Sequence, residues 1–146
     1  MVAACDIVIA SESAVFALTE VRIGVLPAPI APQLVAAIGA RAFRRYGLSG
    51  ERFDAAEARR MGLVHDVCND GMLDEAAEPI FESLLLGAPQ ALTASKQLIA
   101  EVARTAVDDE LAEQLSERTA ATRVSSEAGE GLSAFLENRK PAWYRS

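Results

Sequence analysis

Glu20 is the carboxylate of this chain whose surroundings best suit acid–base chemistry. It lies between a short apolar run at residues 14–18 and a mostly apolar segment at residues 21–26. Apolar surroundings disfavour a charged carboxylate, and the protonated acid is the form that a general acid needs. The alternative is a solvated carboxylate at a strand end. Asp6 is predicted to be a structural hydrogen-bonding group at the start of a buried strand, and Glu12 a solvent-facing residue of a turn.

The elements around Glu20 follow from local patterns. Runs rich in β-branched and apolar residues predict strands. Pro27, Pro29 and Pro32 predict a loop that leads into a helix, and Gly39 is placed to end that helix. The elements predicted before residue 50 are strands over residues 6–10 and 14–18, helices over 30–38 and 40–46, and a turn over 47–50.

The rest of the chain is predicted to be mostly helical. Asp54 followed by Glu57 is the capping-box pattern, and Gly62 ends the short helix that Asp54 begins. The later elements are a strand over residues 63–67 and helices over 73–86, 89–106, 108–122 and 126–139. This order predicts an α/β fold in which a core of strands and short helices, residues 1–70, precedes a helical C-terminal region, residues 71–146.

The composition predicts a folded, acidic protein with the size of one domain. Of the 146 residues, 51% are hydrophobic and 24% charged, which allows a packed core. The net charge of −7 argues against general nucleic-acid binding, because neutralising phosphates requires a concentrated basic surface. No apolar run suits a membrane span, and no leader pattern is visible. We therefore expect a cytoplasmic protein without a membrane partner.

Metal chemistry is not expected either. Cys5 and Cys68 lack the spacing of metal ligands, and His65 is the only histidine. Both cysteines are predicted to be buried free thiols.

Several short motifs follow one another in a fixed order along the chain. The first group is C-D-I at residues 5–7, then Ala10, Ala14 and Phe16, then Glu20, then Gly24 and Pro27. The second group lies at residues 48–58, 62–64, 95–96 and 130–141. Together they resemble the motifs of the crotonase, or enoyl-CoA hydratase/isomerase, superfamily. Thr19, residues 25–32 and residues 44–46 resemble the methylglutaconyl-CoA hydratase branch in particular. The resemblance covers essentially the whole chain.

The resemblance implies the C-terminal part of a crotonase-like ββα fold and the chemistry of adding water to a 2-enoyl-CoA. That chemistry uses two glutamates and two backbone N–H groups that stabilise the thioester oxyanion. Glu20 matches the glutamate that protonates the α-carbon, whereas the second glutamate and the oxyanion donors would precede Met1. We therefore expect a truncated chain with impaired activity. The substrate that the resemblance implies is an acyl-CoA thioester, of the methylglutaconyl type by the branch resemblance, and no cofactor is needed.

The resemblance also implies ligand contacts outside Glu20. Leu26 and Pro27 are expected to bind substrate, Phe135 to pack near the adenine, and Lys140 to meet coenzyme A phosphates. For the basic ending, the alternative is a cationic helix terminus that complements its own dipole. A further basic group at residues 41–45 is either a phosphate site or a solvated face or subunit contact.

Association with other chains is a further expectation. Family members form trimers or paired trimers, so a homo-oligomer or a complex with full-length homologues is predicted. Candidate contacts are Leu111, Leu115, Leu132, Phe135 and Leu136. An exposed sheet edge and apolar face would make the isolated chain poorly soluble. Two other functions stay open: an enoyl-CoA isomerase of the same fold, and a non-catalytic remnant that binds coenzyme A or assembles with a partner.

Overall fold

The computed structural model of the chain describes residues 2–103, 105–106 and 108–145. Its strands are β1 (Ile9–Ser11), β2 (Val15–Ala17), β3 (Arg52–Asp54) and β4 (Asp66–Cys68). Its α-helices are α1 (Ala31–Ser49), α2 (Ala55–Met61), α3 (Leu73–Leu86), α4 (Pro89–Val102), α5 (Asp109–Arg123) and α6 (Ser126–Leu136). The predicted α/β class is confirmed. The chain divides into two compact units, Met1–Pro79 and Ile80–Ser146, and the predicted boundary after residue 70 stays a prediction.

Two small sheets organise the first unit. β1 pairs with β4 in parallel, and β2 pairs with β3 in the antiparallel sense. Phe16 lies directly opposite Phe53 in the second sheet, and their ring centroids are 5.6 Å apart. Tyr46 from α1 packs against Phe53 at 4.3 Å. These rings join α1 to the β2–β3 sheet, because large side chains on one sheet face bury their apolar area against a helix.

The core of the first unit combines aliphatic side chains with two aromatic rings. Its buried members are Ala10, Leu18, Leu34, Ile38, Tyr46, Phe53, Ala55, Ala58, Leu63 and Val64. Ala58 and Val64 are almost fully buried, at 0% and 1% exposure, so a larger side chain at Ala58 would overpack the contact with its neighbours.

Helix α1 contains the predicted break at Gly39. Gly39 has φ 72° and ψ 159°, which is not a helical conformation, so two helical stretches meet there. Only glycine adopts this backbone geometry readily. The second stretch was predicted to give way to a turn at Gly47, but it continues to Ser49 and ends at Gly50 with φ 63°. Gly47 is inside the helix, where the Phe43 ring occupies the place of a side chain.

Asp54 and Gly62 bound α2 as the sequence predicts. The Asp54 Oδ1 atom accepts a hydrogen bond of 2.8 Å from the Glu57 N–H group, and Gly62 ends the helix with φ 88°. The Glu57 side chain does not complete the capping box, because Tyr46 and Arg60 bind both of its oxygens.

In the second unit, the N-terminus of α4 is capped from a distant helix. The Glu127 carboxylate of α6 accepts hydrogen bonds of 3.0 Å from the N–H groups of Gln90 and Ala91. A carboxylate at this position satisfies orphan donors and complements the helix dipole. After α6, the Trp143 Nε1–H group donates to the Leu86 carbonyl at 3.1 Å.

Several predicted boundaries are wrong. The first strand begins at Ile9 rather than Asp6, and the last begins at Asp66 rather than Leu63. Leu63 and Val64 fill the core as irregular chain, so the contact with the β1 segment begins only at His65, whose N–H donates to the Val8 carbonyl at 2.8 Å. Strand β3 was not predicted. Helices α4 and α6 end earlier than predicted, at Val102 and Leu136; residue 104 of the predicted α4 lies outside the described residues.

The prediction that both cysteines are buried is also wrong. Cys5 is exposed because Val2 and Ala3 of the preceding 3₁₀ turn, rather than Cys5, pack against the core, and Cys68 is half-buried at the end of β4. Neither forms a disulfide with a described residue.

Candidate active site

Glu20 is the first residue of a 3₁₀ turn, Glu20–Ile23, that follows β2. Local hydrogen bonds hold this turn: the Arg22 N–H donates to the Thr19 carbonyl at 2.9 Å, and the Val25 N–H donates to the Glu20 carbonyl at 3.0 Å. Gly24 closes the turn with φ 73° in the left-handed region. The backbone of Glu20 is therefore positioned by short-range contacts that the turn sequence itself supplies.

The Glu20 side chain lies in an apolar cavity of about 320 Å³. The lining residues are Val2, Ala3, Val15, Phe16, Ala17, Leu18, Glu20, Ile30, Leu34, Phe53 and Leu63. Among these described residues Glu20 is the one ionisable group. Its Oε2 atom is buried and has no hydrogen-bond partner within the described part of the chain. Buried polar atoms in folded proteins are normally paired, so an unpaired one points to a role other than stability.

Leu26 and Pro27 do not share the Glu20 cavity. They line a separate apolar groove of about 520 Å³, together with Val21, Ala28, Ala31, Phe43, Arg44, Gly47 and Leu48. Because Val21 follows Glu20 directly in the chain, the groove and the cavity flank the same turn. Leu26 is 75% exposed, so its side chain is available to a ligand in the groove.

Phe135 and Lys140 belong to the second unit. Phe135 is 80% exposed on α6. The Lys140 ammonium lies 3.5 Å from the centroid of the Tyr144 ring, which is a cation–π contact. Arg139, the cation next to Lys140 in the chain, forms ion pairs with Glu130 and Glu137 at 2.7 and 2.6 Å. Hydrogen bonds to these carboxylates raise the pKa of Arg139. The coenzyme A contacts of Phe135 and Lys140 stay predictions.

A polar network around Tyr46 was missed in the sequence. The Tyr46 hydroxyl donates to the Glu57 Oε1 atom at 2.6 Å, and Arg60 donates to both Glu57 oxygens at 2.5 and 2.6 Å. These hydrogen bonds, with that from Arg60 the strongest, lower the pKa of Glu57 to about 2. Glu57 was read as a capping residue. The signal that was overlooked is an acid three residues before an arginine in one helix.

A second polar contact lies at the carboxyl ends of β1 and β4, the parallel pair of strands. Both Ser11 and Ser13 donate hydroxyl hydrogen bonds to the Asp70 Oδ1 atom, the Ser13 bond at 2.6 Å. The two hydroxyls lower the pKa of Asp70, Ser11 having the larger effect. Parallel pairing brings the ends of β1 and β4 together, which explains why residues far apart in sequence meet here.

Metal binding finds no support in the described residues. No group of three or more histidine, cysteine or acidic side chains is placed to hold an ion among them. The His65 Nδ1 atom is occupied, since it accepts a hydrogen bond of 3.0 Å from the Val8 N–H group. Helices long and apolar enough to cross a membrane do not occur in the described parts of the chain.

The family model for enoyl-CoA hydratase/isomerase matches residues 1–146 of the chain. The chain belongs to the enoyl-CoA hydratase/isomerase family. The crotonase resemblance is thereby confirmed.

Individual relatives agree with this assignment. The chain is 35% identical over 140 residues to a 2,3-dehydroadipyl-CoA hydratase of Escherichia coli, a match that covers 94% of the chain and 54% of the relative. It is 34% identical over 145 residues to a mevalonyl-coenzyme A hydratase of Aspergillus fumigatus, covering 98% and 54%. The crystal structure of an enoyl-CoA hydratase from Shewanella pealeana matches with a TM-score of 0.91 and 43% identity, covering 97% of the chain and 53% of that structure.

The chain spans about half the length of the curated relatives that it matches. That this half is the C-terminal one stays a prediction from the order of the motifs. The acyl groups in the names of these relatives differ, so similarity to them does not select one acyl group.

Proposed function

We propose that this chain carries the proton-donating part of an enoyl-CoA hydratase site, with Glu20 as the acid that protonates the α-carbon. The observation that carries the proposal is the Glu20 Oε2 atom, which is buried in an apolar cavity with no partner in the described chain. An oxygen that no group of the described chain engages is available to a substrate atom.

The chemistry assigns one step to Glu20. Water adds through its oxygen to the β-carbon, and the electrons of the double bond move onto the thioester as an enolate. The enolate then takes a proton at the α-carbon from Glu20, which becomes a carboxylate and is reprotonated to complete the cycle. A separate base must take the proton of the attacking water, because Glu20 is the one ionisable group among the described residues that line its cavity.

The substrate is proposed to be a 2-enoyl-CoA thioester of the methylglutaconyl type. The apolar groove at Leu26 and Pro27 supports an acyl chain beside the Glu20 turn, and Arg44 is the one charged residue among its described lining. Phe135 and Lys140 are proposed to contact the adenine and phosphates of coenzyme A. Both side chains are exposed, which supports this role.

A homo-oligomer, trimer or hexamer, or a complex with full-length homologues is proposed as the working form. The apolar surface of α6 supports association, since Leu132, Phe135 and Leu136 are 61%, 80% and 74% exposed. Val15 in β2 is 62% exposed and adds apolar area on the first unit. Leu111, by contrast, is buried at 6% within the chain, so it is unsuited to a contact with another subunit.

An isomerase is the second candidate, and one observation favours it. A cavity with a single carboxylate suits the transfer of one proton between two carbons, a reaction that needs no second acid. The third candidate, a non-catalytic protein that binds coenzyme A or a partner, is favoured by the same exposed apolar residues on α6.

The decisive experiment follows the α-carbon proton. The full chain is incubated in deuterated water with butyryl-CoA, and exchange of the α-hydrogens is measured by NMR; hydration is measured in parallel with crotonyl-CoA and methylglutaconyl-CoA. Glu20→Gln removes the acid and keeps the shape, while Glu12→Gln, at an exposed turn, is the matched control. We expect Glu20→Gln to slow exchange by about 10²–10⁴-fold, and Glu12→Gln to have no effect.

The outcomes separate the candidates. Exchange that persists unchanged in Glu20→Gln contradicts the proposed acid. The chain is also incubated with a 3-enoyl-CoA, and its conversion to 2-enoyl-CoA without hydration identifies the isomerase. Binding of acyl-CoA without exchange, hydration or isomerisation supports the non-catalytic protein.

A further inference from the structure

A cleft rich in arginine lies on the first unit, apart from Glu20. It consists of two adjoining cavities of about 650 and 790 Å³ that share Arg45, Tyr46, Glu57 and Arg60 in their lining. We name it the arginine cleft. Its lining contains five arginines and two carboxylates: Arg41, Arg44, Arg45, Arg52 and Arg60 against Asp54 and Glu57. The chain as a whole has a net charge of −7, so this positive surface is a local feature.

Two of the arginines are held in place by neighbouring groups. The Arg45 Nε atom donates to Glu51 at 2.6 Å, and its guanidinium lies 4.9 Å from the centroid of the Tyr46 ring. Arg60 is held by both Glu57 oxygens, which Tyr46 supports from the other side. A guanidinium has five N–H donors, so each of these arginines keeps donors for a ligand. Because the side chains are already ordered, binding costs less conformational entropy.

The other arginines of the cleft form no ion pair with a carboxylate of the described residues. Arg41 and Arg44 are three residues apart on α1 and line the same cavity, and neither has an ion pair with a described residue. Like charges at this spacing on a helix repel each other. An anion between them would remove the repulsion, and Arg45, four residues after Arg41, adds a third cation to the same helix face.

We propose that the arginine cleft binds a ligand that carries a diphosphate group. Planar guanidinium groups pair with phosphate oxygens through two parallel hydrogen bonds. The cations come from α1, β3 and α2 and line two adjoining cavities, and a diphosphate carries charge on two linked groups, so that it can meet more than one of these cations. Glu20 lines neither cavity, so the proposal is independent of the proton-donating role.

The test is calorimetric titration of the full chain with inorganic pyrophosphate and with ADP, and with malonate as a dianion that lacks phosphate. Arg41→Ser/Arg44→Ser removes the two unpaired cations, and Arg41→Lys/Arg44→Lys keeps their charge without the planar fork. Arg123→Ser, at an exposed position of α5, is the control for loss of positive charge. A thermal melt of each variant checks that the fold is retained.

We expect pyrophosphate to bind the wild-type chain and the serine variant to lose about tenfold or more in affinity, since each lost charge-assisted hydrogen bond weakens binding. The lysine variant should lose less, and Arg123→Ser should stay within about twofold of the wild type. ADP binding tighter than pyrophosphate identifies a nucleotide as the ligand, and equal binding identifies the diphosphate group itself. Absence of pyrophosphate binding, equal affinity in the folded serine variant, or equally tight malonate binding overturns the proposal.

Discussion

Replacing Glu20 by methionine should stabilise the chain while it abolishes proton transfer. The Glu20 Oε2 atom is buried among apolar side chains and lacks a partner in the described chain. Methionine has a similar length, no charge and three rotatable bonds, so it fills the same space without the unpaired oxygen. The expected gain arises because an unpaired buried polar atom has lost its hydration without gaining a hydrogen bond.

The magnitude follows from the one oxygen concerned. Leaving a buried acceptor unpaired costs about 1–3 kcal/mol, and the half-buried position of Glu20 places the expected gain near the lower end. A gain of about 1 kcal/mol, divided by a urea m-value of about 2 kcal/mol per molar, raises the unfolding midpoint by about 0.5 M.

The assay is urea unfolding of the wild-type chain, Glu20→Met and Glu20→Gln, followed by circular dichroism. Glutamine keeps a polar group at the same place, so it should give less stabilisation than methionine. Glu12→Met, at an exposed turn, should leave the midpoint nearly unchanged. The reasoning is refuted when Glu20→Met is no more stable than Glu20→Gln, because the buried oxygen then has no cost that methionine removes.

Three further predictions concern the packing and electrostatics. Phe53→Ala should cost about 3–5 kcal/mol in urea unfolding, because it removes a buried ring that packs on two others; a cost below that of a surface substitution would contradict this packing. The carboxylates of Glu57 and Glu130 have pKa values of about 2, below the ordinary value of 4.5, so their contribution to stability is complete above pH 4.5 and is lost as the pH falls towards 2. Glu57→Gln should therefore flatten the fall of the urea midpoint over that range, and an unchanged slope would argue against the Arg60 contact. Glu127→Ala should destabilise the second unit by about 1–2 kcal/mol through loss of the α4 cap, as measured by amide hydrogen exchange in α4. Glu117→Ala, at an exposed position of α5, should leave that exchange unchanged.

Local features of the fold were predictable from the sequence. The Asp54 cap, the stop at Gly62 and the break at Gly39 each depend on a residue and its immediate neighbours. The type and order of most elements followed from the same local patterns. Glu20 was also predictable as a candidate from its apolar neighbours in the chain, one of which, Leu18, lines the same cavity.

Contacts between residues far apart in the chain could not be predicted from local sequence patterns. Strand β3 has three residues and exists because it pairs with β2, 35 or more residues earlier in the chain. The α4 cap comes from Glu127, a residue that by itself indicates only a helix start. The exposure of Cys5 depends on how the chain packs after its first turn, which the general tendency of cysteine towards burial did not anticipate.

Residue types and short spacings in the sequence were enough to indicate the family pattern and the α/β class, and they made Glu20 the leading candidate for the acid. Tertiary structure decided that one Glu20 oxygen is buried without a partner, and that Leu26 and Pro27 line a neighbouring groove rather than the same cavity. It also decided which arginines are neutralised and which are not. The physical reason is that burial and pairing depend on atoms brought together from distant parts of the chain, and no local pattern specifies them.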